Sequence, residues 1–325
     1  MKIVIPDDYQ YATKELTCLE LLKPHEVIVL GDVSKEPGAA AALAEAECLV
    51  LIRERTRINQ EFLKRMPRLK LISQTGKVGR HIDVASCTSA GVVVVEGVGS
   101  PVAPAELTWA LIMASRRKLV GAVFDMKQGK WQTNIGRALH GETLGVWGYG
   151  KIGRMVASFG RAFGMRVQVW GREASRQAAE ADGYKACHTK ESFFESSDVL
   201  TVHVRLVNET IGMITGGDLA KMKTSSLFVN TSRSELVEVG ALETALENGR
   251  PGFAALDVFP EEPIYDREYA LLRMPNVLCT PHLGYVERNG YELYFHKAFE
   301  NIVNFMAGTP ANVVNAEALR STRGE

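Results

Sequence analysis

The chain has 325 residues, with 38 lysines and arginines balanced by 38 aspartates and glutamates, and 46% of its residues are hydrophobic. That length predicts two domains with ample cores, while the zero net charge argues against a nucleic-acid or anionic-membrane partner. The chain has no apolar run of the roughly 20 residues that cross a bilayer, no signal-peptide pattern and no paired cysteine spacing. We therefore expect a soluble, cytoplasmic protein without disulfides or a metal site.

Short apolar segments alternate with helical patterns in the first part of the chain. The apolar segments lie at 3–6, 27–30, 49–52, 69–73 and 92–95, and helical patterns lie between them at 37–47 and 59–66. This alternation is typical of βαβ units and predicts a parallel sheet.

A cluster of turn-forming residues at 97–101 predicts a crossing into a second domain. A long helix is predicted at 103–119, and a second series of strands at 143–147, 167–170, 199–204, 227–230, 253–258 and 277–280. The aromatic-rich stretch 287–306 predicts one long helix that packs back across the first domain. The predicted domains are therefore 1–98 plus 287–325, which would bind substrate, and 99–286, which would bind the cofactor.

The strongest local motif follows the first strand of the second series. Glycines 148, 150 and 153 form a GxGxxG pattern between this apolar strand and a helical pattern at 155–163. Gly148 permits the tight turn, Gly150 lets a pyrophosphate approach the backbone, and Gly153 lets the helix pack closely on the sheet. A structural turn is the alternative. The predicted dinucleotide-binding residues are Gly148, Tyr149, Gly150, Lys151, Ile152 and Gly153.

The end of the next predicted strand bears on the choice between NAD(H) and NADP(H). NAD-preferring sites usually carry an acid there, about 20 residues beyond the fingerprint, which binds the ribose 2′-hydroxyl. Here Gly171 takes that place and Arg172 follows it, and a guanidinium suits a 2′-phosphate. The pattern favours NADP(H) modestly. Glu173 reaching the ribose, with Arg172 as a solvated charge, is the alternative.

Polar residues follow three later predicted strands, where ligands bind in open α/β sheets. They are Asn-Thr-Ser-Arg at 230–233, Asp-Val-Phe-Pro-Glu-Glu-Pro at 257–263 and Thr-Pro-His at 280–282. In this order, behind the glycine fingerprint, they resemble the D-isomer-specific 2-hydroxyacid dehydrogenase family over nearly the whole chain. The resemblance implies an α/β fold of two Rossmann-like or flavodoxin-like parallel-sheet domains, with the active site in the cleft between them.

The resemblance also implies an activity and its residues. Family members transfer a hydride between a nicotinamide cofactor and a D-2-hydroxyacid or its 2-oxoacid, for example phosphoglycerate, hydroxypyruvate or glyoxylate. By position, Arg233 binds the substrate carboxylate, His282 is the general acid–base, and Glu262 favours the protonated ring of His282 and orients it. Further cofactor contacts are expected at Thr231, Asp257, Thr210 and Arg205. Arg205 replaces a proline that is common in the family.

A loop after the fourth predicted strand is expected to hold the substrate. The family binds the substrate carboxylate there through backbone N–H groups, which hold anions without particular side chains. The family loop often reads R-x-G-x-G-x-D-x-x-D, and this chain departs from it in charge and glycine spacing. Val78 and Gly79 are the predicted backbone contacts. Arg53 and Lys77 would favour an anionic group such as phosphate, and a solvated role for both is the alternative.

Two further expectations concern partners. The helix at 103–116 and the loop to Trp131 resemble the dimerisation arm of the family, so we expect a homodimer. Packing within the monomer is the alternative. A different class of function also stays open, because NAD(H)-sensing corepressors of the family retain the three catalytic residues. Such a protein would use the cofactor to choose protein partners.

Overall fold

The apolar segments of the first series form a five-stranded parallel sheet. The computed structural model describes residues 1–23 and 25–321. The strands are β1 Lys2–Ile5, β2 Glu26–Val29, β3 Cys48–Leu51, β4 Leu71–Gln74 and β5 Val93–Val95, in the order β2-β1-β3-β4-β5. This is the flavodoxin-like doubly wound order, whose direction reverses between β1 and β3.

The second series forms a seven-stranded parallel sheet. Its strands are β6 Thr143–Trp147, β7 Arg166–Trp170, β8 Lys185–Ala186, β9 Val199–Val202, β10 Leu227–Asn230, β11 Phe253–Leu256 and β12 Val277–Cys279. The order β12-β11-β10-β9-β6-β7-β8 is the Rossmann order with one more strand at the edge. The sequence missed β8, because two residues are too short to show an apolar pattern.

Helices connect the strands of both sheets. In chain order they are α1 Ala39–Ala44, α2 Gln60–Lys64, α3 Val84–Ser89, α4 Val102–Arg116, α5 Leu119–Lys127, α6 Lys151–Ala162, α7 Glu173–Ala181, α8 Lys190–Ser196, α9 Gly216–Leu219, α10 Ala241–Glu247, α11 Ala270–Arg273, α12 Arg288–Met306 and α13 Ala318–Ser321. Short 3₁₀ helices lie at Ala12–Glu15, Thr17–Leu22, Asn208–Thr210 and Ser234–Leu236. None of the described helices combines the length and apolar composition that a membrane span needs.

The prediction of one helix at 103–119 is wrong at its C-terminal end, because α4 ends at Arg116. Lys118 adopts the left-handed backbone conformation, with φ of 50°, which ends the first helix before α5 begins. An internal residue of an α-helix needs a negative φ, so this single residue separates α4 from α5.

The chain divides into two compact units, residues 1–100 with 287–325 and residues 101–286. In the first unit, α12 packs against β4, where the Ser73 hydroxyl donates a 2.8 Å hydrogen bond to the Ala298 carbonyl. The buried face of α12 carries Phe295, Phe299 and Ile302. This apolar face explains why the C-terminal helix belongs to the first unit.

In the second unit, apolar side chains cover both faces of the sheet. Leu144 packs in one core cluster with Ile112 of α4 and Val156 of α6. Trp147 and Phe193 belong to the core cluster on the opposite face. Because both faces are buried, the polar residues that follow the strands are confined to the sheet edges.

Phe299→Ala is expected to lower the free energy of unfolding by about 3–5 kcal/mol, because it removes a fully buried ring. Urea denaturation followed by circular dichroism measures this change. Val303→Ala on the same helix is the control, since Val303 is 40% exposed. Equal losses in the two variants would contradict the packing role of the buried face.

Candidate active site

The glycine-rich turn joins β6 to α6. At Gly148 the backbone has φ of 94°, and a Cβ there would lie 2.5 Å from the His203 carbonyl oxygen. A Cβ on Gly153 would collide with the Gly148 carbonyl oxygen, whereas a Cβ on Gly150 would meet no atom within 4 Å. The fold itself therefore requires Gly148 and Gly153, and Gly150 faces open space at the start of α6. The first N–H groups of a helix lack partners within the helix and attract anions such as phosphate.

The other three residues of the turn differ in their surroundings. The Tyr149 side chain is buried, and its hydroxyl donates a 2.7 Å hydrogen bond to Asp182. Ile152 packs against the core of the second unit, while Lys151 is exposed. Only their backbone groups, together with the Lys151 side chain, are therefore suited to contact a cofactor.

At the end of β7, Gly171 is followed by Arg172, which is exposed and occupies the N-cap position of α7 without a side-chain capping hydrogen bond. The Glu173 carboxylate is already engaged within its own helix. It pairs with Arg176 and accepts a 3.0 Å hydrogen bond from Gln177. This engagement weakens the alternative in which Glu173 binds the ribose.

The loop after β9 contains Arg205 and Thr210. The Thr210 hydroxyl donates to the Arg205 carbonyl at 2.9 Å and accepts from the Val207 N–H at 2.9 Å. Thr210 therefore closes this loop, and the Arg205 side chain is exposed.

The turn after β10 carries Arg233. The Asn230 side chain closes the turn, since it donates to the Arg233 carbonyl at 2.9 Å and accepts from the Ser232 N–H at 3.0 Å. Next to it, the Thr231 hydroxyl lies 2.7 Å from the Thr108 hydroxyl of α4. A half-buried guanidinium thus lies at the carboxyl edge of the sheet on a constrained backbone.

Asp257 follows β11 and is fully buried. One carboxylate oxygen accepts hydrogen bonds from the Thr280 hydroxyl at 2.6 Å and the Leu283 N–H at 2.7 Å. The other accepts from the Gly284 N–H at 2.8 Å. Burial raises the pKa of the Asp257 carboxyl, and these hydrogen bonds oppose that rise. Asp257 therefore fastens the loop after β12 on both sides of His282.

His282 itself has φ of 51°, a left-handed conformation that is uncommon for a residue other than glycine. Its Nδ1 lies 2.6 Å from an oxygen of Glu262, whose other oxygen accepts from the Phe259 N–H at 2.8 Å. The structure thus brings His282 and Glu262 together, while Glu261 is exposed. With Nδ1 held by a carboxylate, Nε2 is the nitrogen suited to exchange a proton with a substrate.

In the first unit, the predicted substrate loop follows β4. The Arg53 guanidinium lies against Gly76, where any Cβ would collide with it, and the Arg53 backbone has φ of 52°. Lys77 forms an ion pair with Glu96, whose carboxylate also accepts the Val78 N–H at 3.3 Å. The charge of Lys77 is therefore paired in this structure, and its role as a cation for an anionic side group stays a prediction.

The sequence analysis missed Glu96. Its signal was present, since Glu96 directly follows β5 and strand ends carry the other site residues. Gly79 completes the loop, and a Cβ there would lie 3.3 Å from the His81 ring.

Comparison with known proteins identifies the family. Residues 109–284 match the model of the D-isomer specific 2-hydroxyacid dehydrogenase, NAD binding domain. The chain belongs to the D-isomer-specific 2-hydroxyacid dehydrogenase family. Glyoxylate reductase of Aeropyrum pernix is 34% identical over 95% of this chain and 96% of its own.

Solved structures of oxidoreductases are similar to this chain over nearly its whole length. An oxidoreductase from Ralstonia solanacearum is 52% identical, with a TM-score of 0.94 over 98% of this chain and 97% of its own. A phosphoglycerate oxidoreductase from Vibrio cholerae is 51% identical, with a TM-score of 0.91 over 95% of this chain and 99% of its own.

This D-2-hydroxyacid dehydrogenase therefore transfers a hydride between NAD(H) and the CH–OH group of a 2-hydroxyacid. Its NAD-binding domain lies within the second unit. The named relatives are oxidoreductases, so a role confined to NAD(H) sensing is not favoured.

Gly150→Ala is expected to leave the melting temperature within about 2 °C of the wild type, because a Cβ at Gly150 meets no atom within 4 Å. The same methyl group would intrude on a bound pyrophosphate and weaken NADH binding about tenfold or more, as measured by NADH fluorescence titration. Gly121→Ala, also in open space but on α5, is the control. Unchanged NADH affinity in Gly150→Ala would show that the cofactor does not approach this turn.

Proposed function

We propose that this enzyme interconverts a 2-oxoacid and its D-2-hydroxyacid with His282 as general acid–base, Glu262 as its partner and Arg233 as the carboxylate anchor. The observation that carries the proposal is the 2.6 Å contact between His282 and Glu262 on a loop fastened by Asp257. When bound, the nicotinamide accepts or supplies the hydride at C4, and substrate C2 is its counterpart.

The proposed proton route runs through Nε2 of His282. In the direction of reduction, the protonated His282 ring donates from Nε2 to the carbonyl oxygen of the substrate. In the direction of oxidation, the neutral ring accepts the hydroxyl proton. Glu262 holds Nδ1 and thereby fixes the ring orientation.

Arg233 supplies a fixed positive charge beside the same strand ends. Its guanidinium fork matches a carboxylate and stabilises negative charge that develops on the substrate oxygen. The Asn230 hydrogen bond to the Arg233 carbonyl keeps the backbone of this residue in place. Backbone N–H groups of the first unit, at Val78 and Gly79, are the proposed contacts for the remainder of the substrate.

We propose that the second unit binds the cofactor and the first unit binds the substrate. The space in front of Gly150 fits a pyrophosphate, and the fingerprint lies wholly within the second unit. Asp257 and Thr231, at the neighbouring strand ends, are the proposed contacts on the nicotinamide side. The substrate class includes glyoxylate-like and phosphoglycerate-like acids, as the names of the relatives suggest.

A homodimer in the cytoplasm is the proposed form of the enzyme. Large apolar side chains are exposed on and after α5, among them Phe124 at 63%, Trp131 at 74% and Ile135 at 89%. Burying them against a second copy of the chain would remove this apolar surface from water. The free cysteines, of which Cys279 is half-buried and the rest are buried, suit a reducing compartment.

His282→Ala is expected to retain NAD(P)H binding and to lose about 10²–10⁴-fold in turnover, because the proton donor is removed. Steady-state rates with glyoxylate, hydroxypyruvate and pyruvate measure the loss, and cofactor fluorescence measures binding. Glu262→Gln is expected to lose less, since a hydrogen-bonding partner for Nδ1 remains.

His296→Ala is the matched control for this experiment. His296 lies 3.6 Å from Glu300 on α12, so it is also a histidine beside a carboxylate, and it is outside the site. Full activity is expected of this variant. Unchanged turnover of His282→Ala on every 2-oxoacid would overturn the proposed role of His282.

For the cofactor, we propose a modest preference for NADP(H), with Arg172 and Arg205 as partners of the 2′-phosphate. Gly171 stands where an acid would repel that phosphate, and both arginines are exposed. The Glu173 carboxylate is engaged by Arg176 and Gln177, so it is poorly placed for a ribose hydroxyl.

Arg172→Ala is expected to raise the KM for NADPH about tenfold while leaving that for NADH within about twofold, since one charge-assisted hydrogen bond is lost. Parallel KM measurements with both cofactors test this. Arg161→Ala, near the far end of α6, is the control and should change neither value. A wild-type enzyme that strongly prefers NADH would show that the interpretation of Arg172 is wrong.

A further inference from the structure

Glu96 pairs with Lys77, the lysine of the predicted substrate loop. Its side chain pairs with Lys77 and accepts the Val78 N–H at 3.3 Å, so one carboxylate binds two adjacent residues of the loop. Lys77 is 68% exposed, whereas Glu96 is only 27% exposed. The acid is thus the more fixed partner of the pair.

The backbone of Glu96 is held in place by the C-terminal part of the chain. Its N–H donates to the Asn312 carbonyl at 3.0 Å, and its carbonyl accepts from the buried Asn301 side chain at 3.1 Å. The Asn312 amide in turn donates to Asn301 at 2.8 Å. An exposed ion pair between two mobile side chains contributes little to stability. In this pair the backbone of Glu96 is fixed, so only the Lys77 side chain has to be ordered.

A second carboxylate lies beside the same loop. Glu54 is 3.9 Å from the Arg53 guanidinium, and one of its oxygens lies 3.9 Å from the position of a Cβ on Gly79. Arg53 and Lys77 therefore each have an acid beside them. Arg80, directly after Gly79, is exposed to solvent, where its charge is strongly screened.

We propose that Glu96 is a specificity-determining residue that makes the loop select 2-oxoacids with an uncharged side group over phosphorylated ones. The inference rests on the proposed function, because it assigns this loop to the substrate. Glu96 cancels the charge of Lys77, so a phosphate dianion meets no net positive charge at this pair. A side group bearing only hydrogen or a hydroxyl needs no such charge.

Glu96→Gln is the decisive variant. Glutamine keeps the size of the side chain and an acceptor for the Val78 N–H, but it releases the charge of Lys77. We expect the ratio of kcat/KM for phosphohydroxypyruvate to that for hydroxypyruvate to be below one in the wild type. In Glu96→Gln it should rise about tenfold, mainly through KM, as expected for one unit charge at short range. Because both acids share the reacting carbonyl and carboxylate, a merely structural effect would leave the ratio unchanged.

Two further variants isolate the cause. The double variant Glu96→Gln with Lys77→Met should return the ratio to the wild-type value, since the released cation is then absent. Glu45→Gln removes an acid that pairs with Arg68, in the connection between α1 and the start of β3, and should leave the ratio unchanged. Dissociation constants of D-glycerate and D-3-phosphoglycerate, measured by calorimetry with the reduced cofactor bound, give the same ratio without turnover, because the reduced cofactor cannot accept a hydride.

The outcomes separate the two proposals. If no 2-oxoacid is reduced by the wild type, the proposed function fails, while the calorimetric ratio still tests Glu96. If turnover is normal but neither ratio changes in Glu96→Gln, the role of Glu96 is wrong. It is equally wrong if the wild type already prefers the phosphorylated acid, if the gain persists in the double variant, or if neither ligand binds the wild type or Glu96→Gln.

Discussion

The buried carboxylate of Asp257 is the interaction on which the end of the second sheet depends. It accepts hydrogen bonds from the residues on both sides of His282, and so it stabilises a left-handed backbone that a histidine rarely adopts. A charge in such a buried position is tolerated because three donors surround it. Glu262 is then left to hold the ring rather than the loop. Asp257 thus fixes the backbone around His282, and Glu262 fixes its ring.

Backbone constraints and charge pairs lie in different parts of the fold. Backbone constraints at Gly148, Gly153 and His282 come from the packing of strands, turns and helices, which any substrate would meet unchanged. Charge pairs such as Lys77 with Glu96 lie on loops, where side chains can change with little effect on the core. The departures of this chain from the family pattern lie on loops of this kind.

Much of the fold was accessible from the sequence for a physical reason. Strands buried on both faces are continuous apolar runs, so their positions were predicted to within a few residues. The glycine turn was recognisable because its three glycines lie within six residues, between an apolar strand and a helical pattern. The two-residue strand β8 and the helix break at Lys118 were missed, since neither changes the local apolar pattern. The left-handed backbone conformation of Lys118 depends on its tertiary surroundings, so the amino-acid composition does not predict it.

The sequence by itself determined the fold class, the order of the motifs and, through the family resemblance, the reaction. Only the tertiary structure decided which charges meet. Lys77 pairs with Glu96 across 19 residues, and Asp257 accepts from the Leu283 and Gly284 N–H groups across 26 and 27, whereas the pair of His282 and Glu262 was expected from the family resemblance. Periodicity describes the face on which a side chain lies, but it carries no distance between strand ends. That distance arises from the register of the parallel sheets, which sets Glu96, after β5, beside Lys77, after β4.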